Sequence, residues 1–508
     1  MSEIMNIVNT EDMRVLEINS RALGVPTLLL MENAGASIAR VIELELGSLE
    51  NKDITIVAGK GGKAGDSFVA ARHLSRLGAK VKIYMLYHPS EIVHDDAKFN
   101  YRIISKMKSI TIQRFSRDID LSSNVIIDGL LGTGIKGRVR EPAASAIELM
   151  NRAKGIKIAI DVPSGIDPDT GEVLGIAFKA DITVTMHAIK PGLIRAKEYV
   201  GKVVVANIGI PPEAWTYLGP GDIIARIRRK PRTAKKGDGG RILVIAGSSR
   251  YIGAPWLTAL AAWAAGADIV TLAAPTPVLA SRFSPEIIGY ELSGEKLCSD
   301  HIDKLISLAG KHDVVAMGPG LGLDRETMET ANRLIETLIN KNKPLVIDAD
   351  ALKALALIKN IDLRMHTVVT PHLGEASLML GKSISNDPSS RILAAIEISK
   401  KFNTITVLKG YVDIVTDGEM YRIREGISPP DMSRGGTGDV LTGLIAGLIP
   451  RTSSILSAAY AGVMINAIAG GLAYKYRGAS YPLYLIDFIP QVIKDPEKSL
   501  KSLMEGEQ

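Results

Sequence analysis

Short apolar runs alternate along the whole chain with longer stretches in which apolar residues recur every three or four positions. A short apolar run that ends at Gly or Asp predicts a buried strand, and the longer spacing predicts a helix. Strands that alternate with helices in this way predict α/β domains built on doubly wound parallel sheets.

In the N-terminal half, the pattern predicts a helix from Thr10, the expected N-cap, to about Ala22, and another helical stretch that begins at residues 31–35. Strands are predicted at 54–57, 80–86, 125–128, 156–160, 182–185 and 203–206. Ligands bind such sheets at the carboxyl ends of the strands. The loops there that are rich in Gly and Asp are therefore expected to form one site: 59–66, 128–134 and 161–167.

The alternation resumes at residue 240 and predicts a second α/β domain. A strand enters a loop over 240–248, a buried Ala-rich helix covers 254–267, and strands follow at 314–317, 345–347, 367–369 and 404–408. His372 at a strand end is a candidate functional residue, although a histidine alone is more often structural. Lys409 follows a buried strand and is a candidate phosphate partner, as a compact positive charge.

The stretch Arg434-Gly-Gly-Thr-Gly-Asp439 precedes a run of apolar residues at helical spacing, so a helix is predicted to begin near Thr437 or Gly438. Exposed backbone N–H groups and the positive end of the helix dipole would form an anion site. Asp439 would lie in the first turn, stay ionised, and take a proton from an attacking hydroxyl in phosphoryl transfer. An ordinary glycine-rich turn fits this short motif equally well. The P-loop motif G-x-x-x-x-G-K-[ST] does not occur in the sequence.

Composition narrows the class of protein. The 508 residues, 46% hydrophobic and 23% charged, predict a globular protein of two to four domains. The apolar runs are too short to span a membrane, the N-terminus lacks a signal pattern, and Cys298 is the only cysteine, so a reducing cytoplasm is expected. A net charge of +6 and 5% aromatic residues do not favour nucleic-acid binding.

The segment 225–236 carries seven basic residues and no acidic one, and it is predicted to be an exposed connection between two domains. A nucleic-acid arm is one alternative. A second is that Lys235 and Lys236 line an entrance for an anionic dinucleotide. The predicted boundaries are 1–218 for the first domain, 219–235 for the linker and 236–508 for the second domain.

Three stretches of the first domain resemble the NAD(P)H-hydrate epimerase family over about residues 5–215: Asn-Ala-Gly at 33–35, the loop 128–134, and Asp-Val-Pro-Ser-Gly-Ile-Asp at 161–167. The resemblance implies a Rossmann-like αβα domain that interconverts the R and S hydrates of NADH and NADPH, with Asp161 as the acid/base residue. It implies substrate contacts from Gly62, Lys63, Ala64, Gly65, Asp66, Gly132, Thr133, Gly134, Ile135, Lys136, Gly137, Arg138 and Asp161.

The same resemblance implies a potassium ion bound by Asp128 and Ser164. One residue departs from the family, because Lys63 stands where an Asn usually helps to hold the ion. Either the Lys63 ammonium takes the place of the ion, or it points at the substrate phosphate. A catalytically weakened domain that only binds its ligand is a further alternative.

The second domain resembles the ADP/ATP-dependent NAD(P)H-hydrate dehydratases, which have the ribokinase-like αβα fold, from about residue 236 to 495. The motifs that carry this resemblance are 247–248, 251–255, 318–322, 348–350, 370–375, 409–410 and 435–439. The implied chemistry is phosphorylation of the hydrate by a nucleotide with Mg²⁺, followed by loss of phosphate. Asp439 would be the base. The implied substrate contacts are Ala254, Gly320, Gly322, His372 and Asp439, and the nucleotide contacts are Lys409, Gly410, Tyr411, Val412, Asp413, Gly436, Thr437 and Gly438.

Together these resemblances predict a bifunctional repair enzyme that epimerises hydrated NAD(P)H and dehydrates the S form. The fusion favours ADP over ATP as the donor, and the family resemblance implies a homo-oligomer without membrane or nucleic-acid partners. Two alternatives are a small-molecule kinase of the ribokinase-like class and a working dehydratase that carries a non-catalytic N-terminal binding domain. A stable phosphorylated product would distinguish the kinase.

Overall fold

The structure is a computed structural model, and it describes residues 7–281, 283–358 and 360–505. The chain divides into two compact units, Met1–Pro211 and Pro212–Gln508. Each unit is built around one β-sheet.

The N-terminal unit contains a sheet of seven strands in the order β3-β2-β1-β4-β5-β6-β7, and every neighbouring pair is parallel. The strands are β1 Asp53–Ala58, β2 Lys80–Met85, β3 Ile110–Arg114, β4 Val125–Gly129, β5 Ile156–Ile160, β6 Ile182–Met186 and β7 Lys202–Ala206. The helices are α1 Thr10–Ala22, α2 Thr27–Leu46, α3 Gly62–Arg76, α4 Asp95–Ile104, α5 Ala143–Arg152, α6 Pro191–Arg195 and α7 Lys197–Val200.

This sheet confirms the predicted doubly wound parallel architecture, with some differences at the ends of elements. The N-cap of α1 is Asn9 rather than Thr10, because the Asn9 side chain accepts a hydrogen bond from the Asp12 N–H at 2.7 Å. The second helix starts at Thr27, four residues before the predicted stretch. Strand β3 was not predicted, since only one of its five residues is buried.

The C-terminal unit contains a sheet of nine strands in the order β10-β9-β8-β11-β12-β13-β14-β15-β16. The strands are β8 Arg241–Ile245, β9 Ile269–Pro275, β10 Ile288–Leu292, β11 Val314–Met317, β12 Leu345–Ile347, β13 Thr367–Val369, β14 Ile405–Leu408, β15 Asp413–Thr416 and β16 Tyr421–Arg424. The pairs from β10 to β14 are parallel, and β14, β15 and β16 pair antiparallel.

Helices cover both faces of this sheet. They are α8 Pro212–Thr216, α9 Gly221–Ile224, α10 Ala254–Ala264, α11 Thr276–Ala280, α12 Ile302–Ala309, α13 Arg325–Asn340, α14 Ala349–Leu355, α15 Leu373–Leu380, α16 Pro388–Phe402, α17 Thr437–Leu448, α18 Ile455–Arg477, α19 Pro482–Lys494 and α20 Pro496–Met504. Alternate residues of a strand enter the two cores: Ile242 and Val244 pack with α10 and α17, whereas Leu243 and Ile245 pack on the opposite face. The predicted three-layer αβα arrangement is confirmed.

Helices α10 and α17 pack backbone to backbone, and this contact fixes the start of α17. A Cβ at Gly443 would lie 1.9 Å from the Thr258 carbonyl oxygen, and a Cβ at Gly447 would lie 2.5 Å from the Ala262 carbonyl oxygen. Only glycine permits so close an approach. The N-terminus of α17, where the glycine-rich stretch ends, is therefore held in place by the core.

Helix α18 is long and apolar enough to cross a membrane by length and composition, which differs from the expectation that no such segment exists. Its most apolar window is 83% buried inside the protein. Ala458, Leu472 and neighbouring residues of α18 belong to the core beneath the sheet. This helix is therefore the central core helix of the C-terminal unit.

The predicted linker differs from the structure in its first part. Asp222 and Arg226 are buried, and the Asp222 carboxylate accepts hydrogen bonds from Arg226 Nε at 3.1 Å and from the Arg422 guanidinium. These paired charges fix the segment to β16. The segment is therefore part of the C-terminal unit, whose first residue is Pro212. Residues 228–233 are exposed, as the excess of basic residues predicts.

Candidate active sites

In the N-terminal unit, the carboxyl ends of β1, β4 and β5 open on a cavity of about 550 Å³. Helices α1 and α2 supply other parts of its wall. The predicted site residues that line it are Gly62, Lys63, Asp66, Gly132, Thr133, Gly134, Ile135 and Asp161. The three loops therefore meet at one place, as the strand order requires.

Five of the residues implied as substrate contacts do not line this cavity. Ala64 is fully buried, and a Cβ at Gly65 would lie 2.5 Å from Met31 Sδ, so these two positions serve the packing of α3 against α2. Lys136, Gly137 and Arg138 lie in an exposed loop. The structure therefore concentrates the site on fewer residues than the resemblance implies.

Lys63 forms a buried ion pair at the base of the cavity. Its side chain is 2% exposed, and its Nζ donates to Asp128 Oδ2 at 2.8 Å, to Val162 O at 2.8 Å, and to Leu131 O and Ser164 Oγ at 3.2 Å. Burial lowers the pKa of Lys63, and the Asp128 carboxylate opposes that shift. The ammonium thus points inward and ties the first glycine loop to the loops after β4 and β5.

The residues present do not fit a potassium ion. Asp128 and Ser164, the two implied ligands, already bond to each other and to the Lys63 ammonium. A monovalent positive charge nevertheless stands among these oxygen atoms, and it belongs to Lys63.

Asp161 follows β5 in the left-handed region, with φ of +62°, which is rare for a residue with a side chain. Its Oδ1 accepts hydrogen bonds from Lys190 Nζ at 2.5 Å, from the Met186 N–H at 3.1 Å and from Thr185 Oγ1 at 3.2 Å. Burial alone raises the pKa of Asp161, but the Lys190 ammonium and these hydrogen bonds outweigh it and hold the pKa below its usual range. Asp161 is therefore ionised at neutral pH.

Sequence reasoning missed several ionisable residues of this cavity, among them Glu17 on α1 and Lys190 after β6. Lys190 is fully buried and Glu17 faces the open cavity. Burial, and then the Asp161 charge, raises the pKa of Glu17 to about 7. Burial raises the pKa of Asp66 well above its usual range, and the charges of Asp161 and Glu17 add to this.

In the C-terminal unit, the glycine-rich stretch enters α17 as predicted. Gly436 is the N-cap with φ of +99°, and a Cβ there would lie 2.8 Å from Leu257 and from Pro482, so glycine is required. Thr437 Oγ1 donates to the Met432 and Arg434 carbonyl oxygens at 2.9 Å. Asp439 lies in the first turn. The glycine-rich stretch thus leads directly into the positive end of α17, where an anion is favoured.

Lys409 lies beside this helix start. Its Nζ donates to Asp348 Oδ1 at 2.6 Å, and a Cβ at Gly438 would lie 3.1 Å from the same Nζ. Thr442 Oγ1 donates to Asp348 Oδ2 at 2.7 Å. Burial lowers the pKa of Lys409, but the carboxylates of Asp348 and Glu375 outweigh it, so the ammonium stays charged. This arrangement brings the ends of β12 and β14 to α17.

The carboxylate of Asp439 has a higher pKa, and so accepts a proton more readily, than its position at the helix start alone would give it. Burial raises its pKa to about 6, Asp348 adds to the rise, and Lys409 opposes it. The prediction of a carboxylate simply kept ionised by the helix dipole is therefore incomplete. A carboxylate with a pKa just below neutrality is ionised at pH 7 and still basic enough to take a proton.

The implied substrate contacts of this unit lie on separate loops at the same edge of the sheet. The ideal Cβ position of Gly320 lies 3.6 Å from Ala254 Cβ, and the Gly320 carbonyl oxygen accepts from Ser248 Oγ at 2.9 Å. The Gly322 N–H donates to Asp350 Oδ2 at 2.9 Å. His372 caps α15 through Nδ1, and its side chain is 59% exposed.

Residues 409–413, the implied nucleotide loop, are held by two buried arginines that sequence reasoning missed. Arg391 donates to the Lys409 and Val412 carbonyl oxygens at 2.9 and 3.0 Å. Arg424 binds the Asp413 carboxylate at 2.6 Å and the Gly410 and Tyr411 carbonyl oxygens at 3.0 and 3.2 Å. The loop is thus rigid before any ligand binds.

Both units match families of known proteins. The NAD(P)H-hydrate dehydratase family profile matches residues 242–491, and the profile of the YjeF-related protein N-terminus matches residues 27–192. The chain is 42% identical to a bifunctional NAD(P)H-hydrate repair enzyme of Pyrobaculum aerophilum over 96% of this chain and 98% of the relative. It is 41% identical to the enzyme of that name from Hyperthermus butylicus, over 96% of this chain and 92% of the relative.

Among solved structures, a hypothetical protein of Streptococcus mutans superimposes with a TM-score of 0.50 and 26% identity. The match covers 56% of this chain and 100% of that protein.

Proposed function

The chain belongs to the family of bifunctional NAD(P)H-hydrate repair enzymes, and from that premise we propose which residues carry each of its two reactions. The enzyme epimerises hydrated NAD(P)H and dehydrates it. The observation that supports our assignment is that each unit places an acid/base carboxylate in the field of a lysine at a loop cluster: Asp161 accepts a hydrogen bond from Lys190, and Asp439 feels the charge of Lys409, which is paired with Asp348. A small-molecule kinase would leave the first cluster without a role.

The N-terminal cavity holds the hydrate in this proposal. Backbone N–H groups of the loops 61–63 and 132–135 bind the pyrophosphate, and Asp161 faces the hydroxyl-bearing ring carbon. Lys190 keeps the Asp161 carboxylate negative, so that it stabilises positive charge on the ring and accepts protons.

In the C-terminal unit, Asp439 takes the proton of the hydrate hydroxyl. The hydroxyl oxygen then attacks the terminal phosphorus of the nucleotide, and the bond from that phosphorus to the bridging oxygen breaks. The phosphate ester next leaves with its C–O bonding electrons, and the ring nitrogen supplies the pair that replaces them. Loss of a proton from the adjacent carbon restores the double bond, so hydrate and ADP give NAD(P)H, AMP and phosphate.

We propose ADP as the donor, bound by the rigid loop 409–413 and by the start of α17 at 436–438. Mg²⁺ is usually held by one or two carboxylates together with substrate phosphates. Mg²⁺ would bind with the ADP phosphates near the carboxylates that surround Lys409, and it would neutralise charge on the transferring phosphate. A cytoplasmic homo-oligomer remains our expectation for the protein in the cell.

A mixture of R and S hydrates tests the two assignments together. We expect ADP with Mg²⁺ to restore the absorbance of NADH from the whole mixture at one rapid rate. Recovery that stops at the S fraction and then continues at the spontaneous rate would contradict an active N-terminal unit. A phosphorylated product that accumulates without NADH would instead support a simple kinase, and the same assay with ATP checks the choice of donor.

We further propose that Lys63 replaces the monovalent cation of the epimerase. Four oxygen atoms surround its ammonium, two of them on the residues implied as potassium ligands. The other role considered for Lys63 is contact with a substrate phosphate. The inward orientation of its side chain does not support that role. A tethered cation would make the epimerase active at any potassium concentration.

The variant Lys63→Asn tests this proposal. We expect the native epimerase rate to be equal in potassium, sodium and tetramethylammonium chloride at matched ionic strength. Lys63→Asn should lose about 10²-fold or more without potassium, since an unpaired buried Asp128 costs several kcal/mol, and potassium should restore it. The neighbouring variant Lys60→Asn, which leaves the Asp128 pair intact, should stay independent of potassium. Activation of the native enzyme by potassium would contradict the proposal.

A further inference from the structure

We propose that Glu17 is a second catalytic residue of the epimerase, the acid that protonates the departing hydroxyl group. This inference rests on the proposed epimerase site, to which it adds a residue on a different element, helix α1. The site as first defined contains Asp161 alone as its acid/base group, and Asp161 is held as a carboxylate by Lys190. A carboxylate accepts protons, and a second group has to donate one.

Glu17 lines the same cavity as Asp161 and Lys190. It lies on the face of α1 that also carries Met13, one helical turn earlier, and both side chains contribute to the wall. Leu30, Met31 and Met186 add further apolar surface to that cavity. Glu17 thus stands beside a surface suited to a nicotinamide ring, and the glycine loops suit the phosphates.

Glu17 is open to the cavity, but the loss of solvent around its carboxyl group and the charge of Asp161 favour its neutral form. Asp161 is negatively charged, and Asp66 is so when ionised. The positive charges nearby are those of Lys190, Arg14 and Arg21. Burial and Asp161 dominate, and the pKa of Glu17 lies at about 7. Two carboxyl groups whose surroundings push their pKa values apart are the arrangement that separates an acid from a base.

Asp66 is the other carboxyl group in this cavity, and it is less suited to the role. Its pKa is raised well above its usual range by burial and by the charges of Asp161 and Glu17. A general acid works best when its pKa is near the working pH, so that it is protonated and still releases its proton. Glu17 meets that condition, whereas the pKa of Asp66 is shifted well above its usual range by burial, which favours its protonated form.

The chemistry of the hydrate requires such an acid. Water added to the enamine of NADH places the hydroxyl group on the ring carbon next to nitrogen. Glu17 gives its proton to that hydroxyl, the C–O bond breaks, and water leaves while the nitrogen lone pair forms a C=N bond. The Asp161 carboxylate stabilises this cation. A water molecule then adds to the opposite face and gives its proton to Asp161. Asp161 releases that proton to solvent and solvent returns one to Glu17, so both groups are restored and nothing is oxidised or reduced.

The test compares epimerisation by Glu17→Gln, Glu17→Asp and Asp161→Asn across pH, with the spontaneous rate subtracted. Glu43→Gln on the exposed side of α2 is the matched control and should equal the native enzyme. We expect Glu17→Gln to lower kcat by about 10²–10⁴-fold. The native rate should fall as pH rises through about 7, where Glu17 loses its proton, and Glu17→Gln should lack this limb. Glu17→Asp should be slower but should keep the limb.

The outcomes separate this inference from the proposed site. If Asp161→Asn is inactive and Glu17→Gln keeps both the native kcat and the native pH profile, the inference is wrong and the site stands. If neither variant changes epimerisation, the cavity itself is not the site. A rise in KM alone, with the limb above pH 7 intact, would assign Glu17 to binding and would also overturn its role as the acid.

Discussion

Asp439→Asn is expected to lower dehydration of the S hydrate by about 10²–10⁴-fold, the usual contribution of a general base. The amide cannot accept the hydroxyl proton, and it keeps the size and the helix-start position of the carboxylate. Lys409 remains paired with Asp348, so the anion site keeps its charge. The epimerase reaction occurs in the other unit and should continue at the native rate, which provides an internal control.

The pH dependence of dehydration follows from the same carboxylate. Asp439 accepts a proton only when it is ionised, and its pKa is raised to about 6 by burial and by Asp348. The rate should therefore be constant above about pH 7 and fall as pH decreases through 6. Steady-state rates with purified S hydrate measure this profile, and Asp303→Asn, an exposed change on α12, should reproduce the native profile. An Asp439→Asn enzyme with native activity would exclude Asp439 as the base.

The sequence predicted the parallel strands well because their apolar runs are short, buried and followed by Gly or Asp. Val314–Met317, Leu345–Ile347 and Ile156–Ile160 begin and end where the pattern places them. Strands β9, β10, β15 and β16 were not predicted, although six of the seven residues of β9 and all four of β15 are buried. Strand β10 has one buried residue of five, and β15 and β16 follow a tight antiparallel path that loop signals alone do not reveal.

The site could be predicted only where chemistry lies in a contiguous motif. The stretches 435–439 and 161–167 can be recognised in the sequence because each places glycine close to aspartate. Lys190 meets Asp161 from 29 residues further along the chain, and Glu17 reaches the cavity from α1. Each of them, like Arg424, looks in the sequence like an ordinary charged residue. Lys63 was recognised as unusual, but its inward direction depends on the loops after β4 and β5, which only the fold brings together.

Lys190→Met is expected to have the second large effect, on both stability and epimerisation. The Lys190 side chain is fully buried and that of Asp161 is 16% exposed, so the variant leaves a largely buried carboxylate without its cation. Removing one member of a buried pair costs about 3–5 kcal/mol. We expect the opening free energy of β5 and β6, followed by hydrogen exchange of their peptides, to fall by about that amount. Epimerisation should be lost because Asp161 no longer stays ionised.

The stability lost in Lys190→Met should be smaller at acidic pH. In the native protein the folded-state pKa of Asp161 is lowered, so its pairing with Lys190 stabilises the fold above the ordinary aspartate range and less as pH falls through the folded pKa. In Lys190→Met we expect the pKa of Asp161 to rise instead, because the ammonium that chiefly opposes burial has gone, while the Met186 hydrogen bond and the Lys63 charge remain. Asp161 then takes up a proton in weak acid, and the difference in stability from the native protein should shrink as pH falls.

The double variant Lys190→Met/Asp161→Asn separates charge burial from catalysis. With both charges removed, no ion is left unpaired, and we expect most of the lost stability to return. Epimerisation should remain absent, since the carboxylate that accepts the proton has gone. If the double variant is as unstable as Lys190→Met, the lysine acts through its hydrogen bonds to Thr185 and Met186 rather than through Asp161. Recovered stability without recovered turnover would place the electrostatic role of Lys190 at the Asp161 carboxylate.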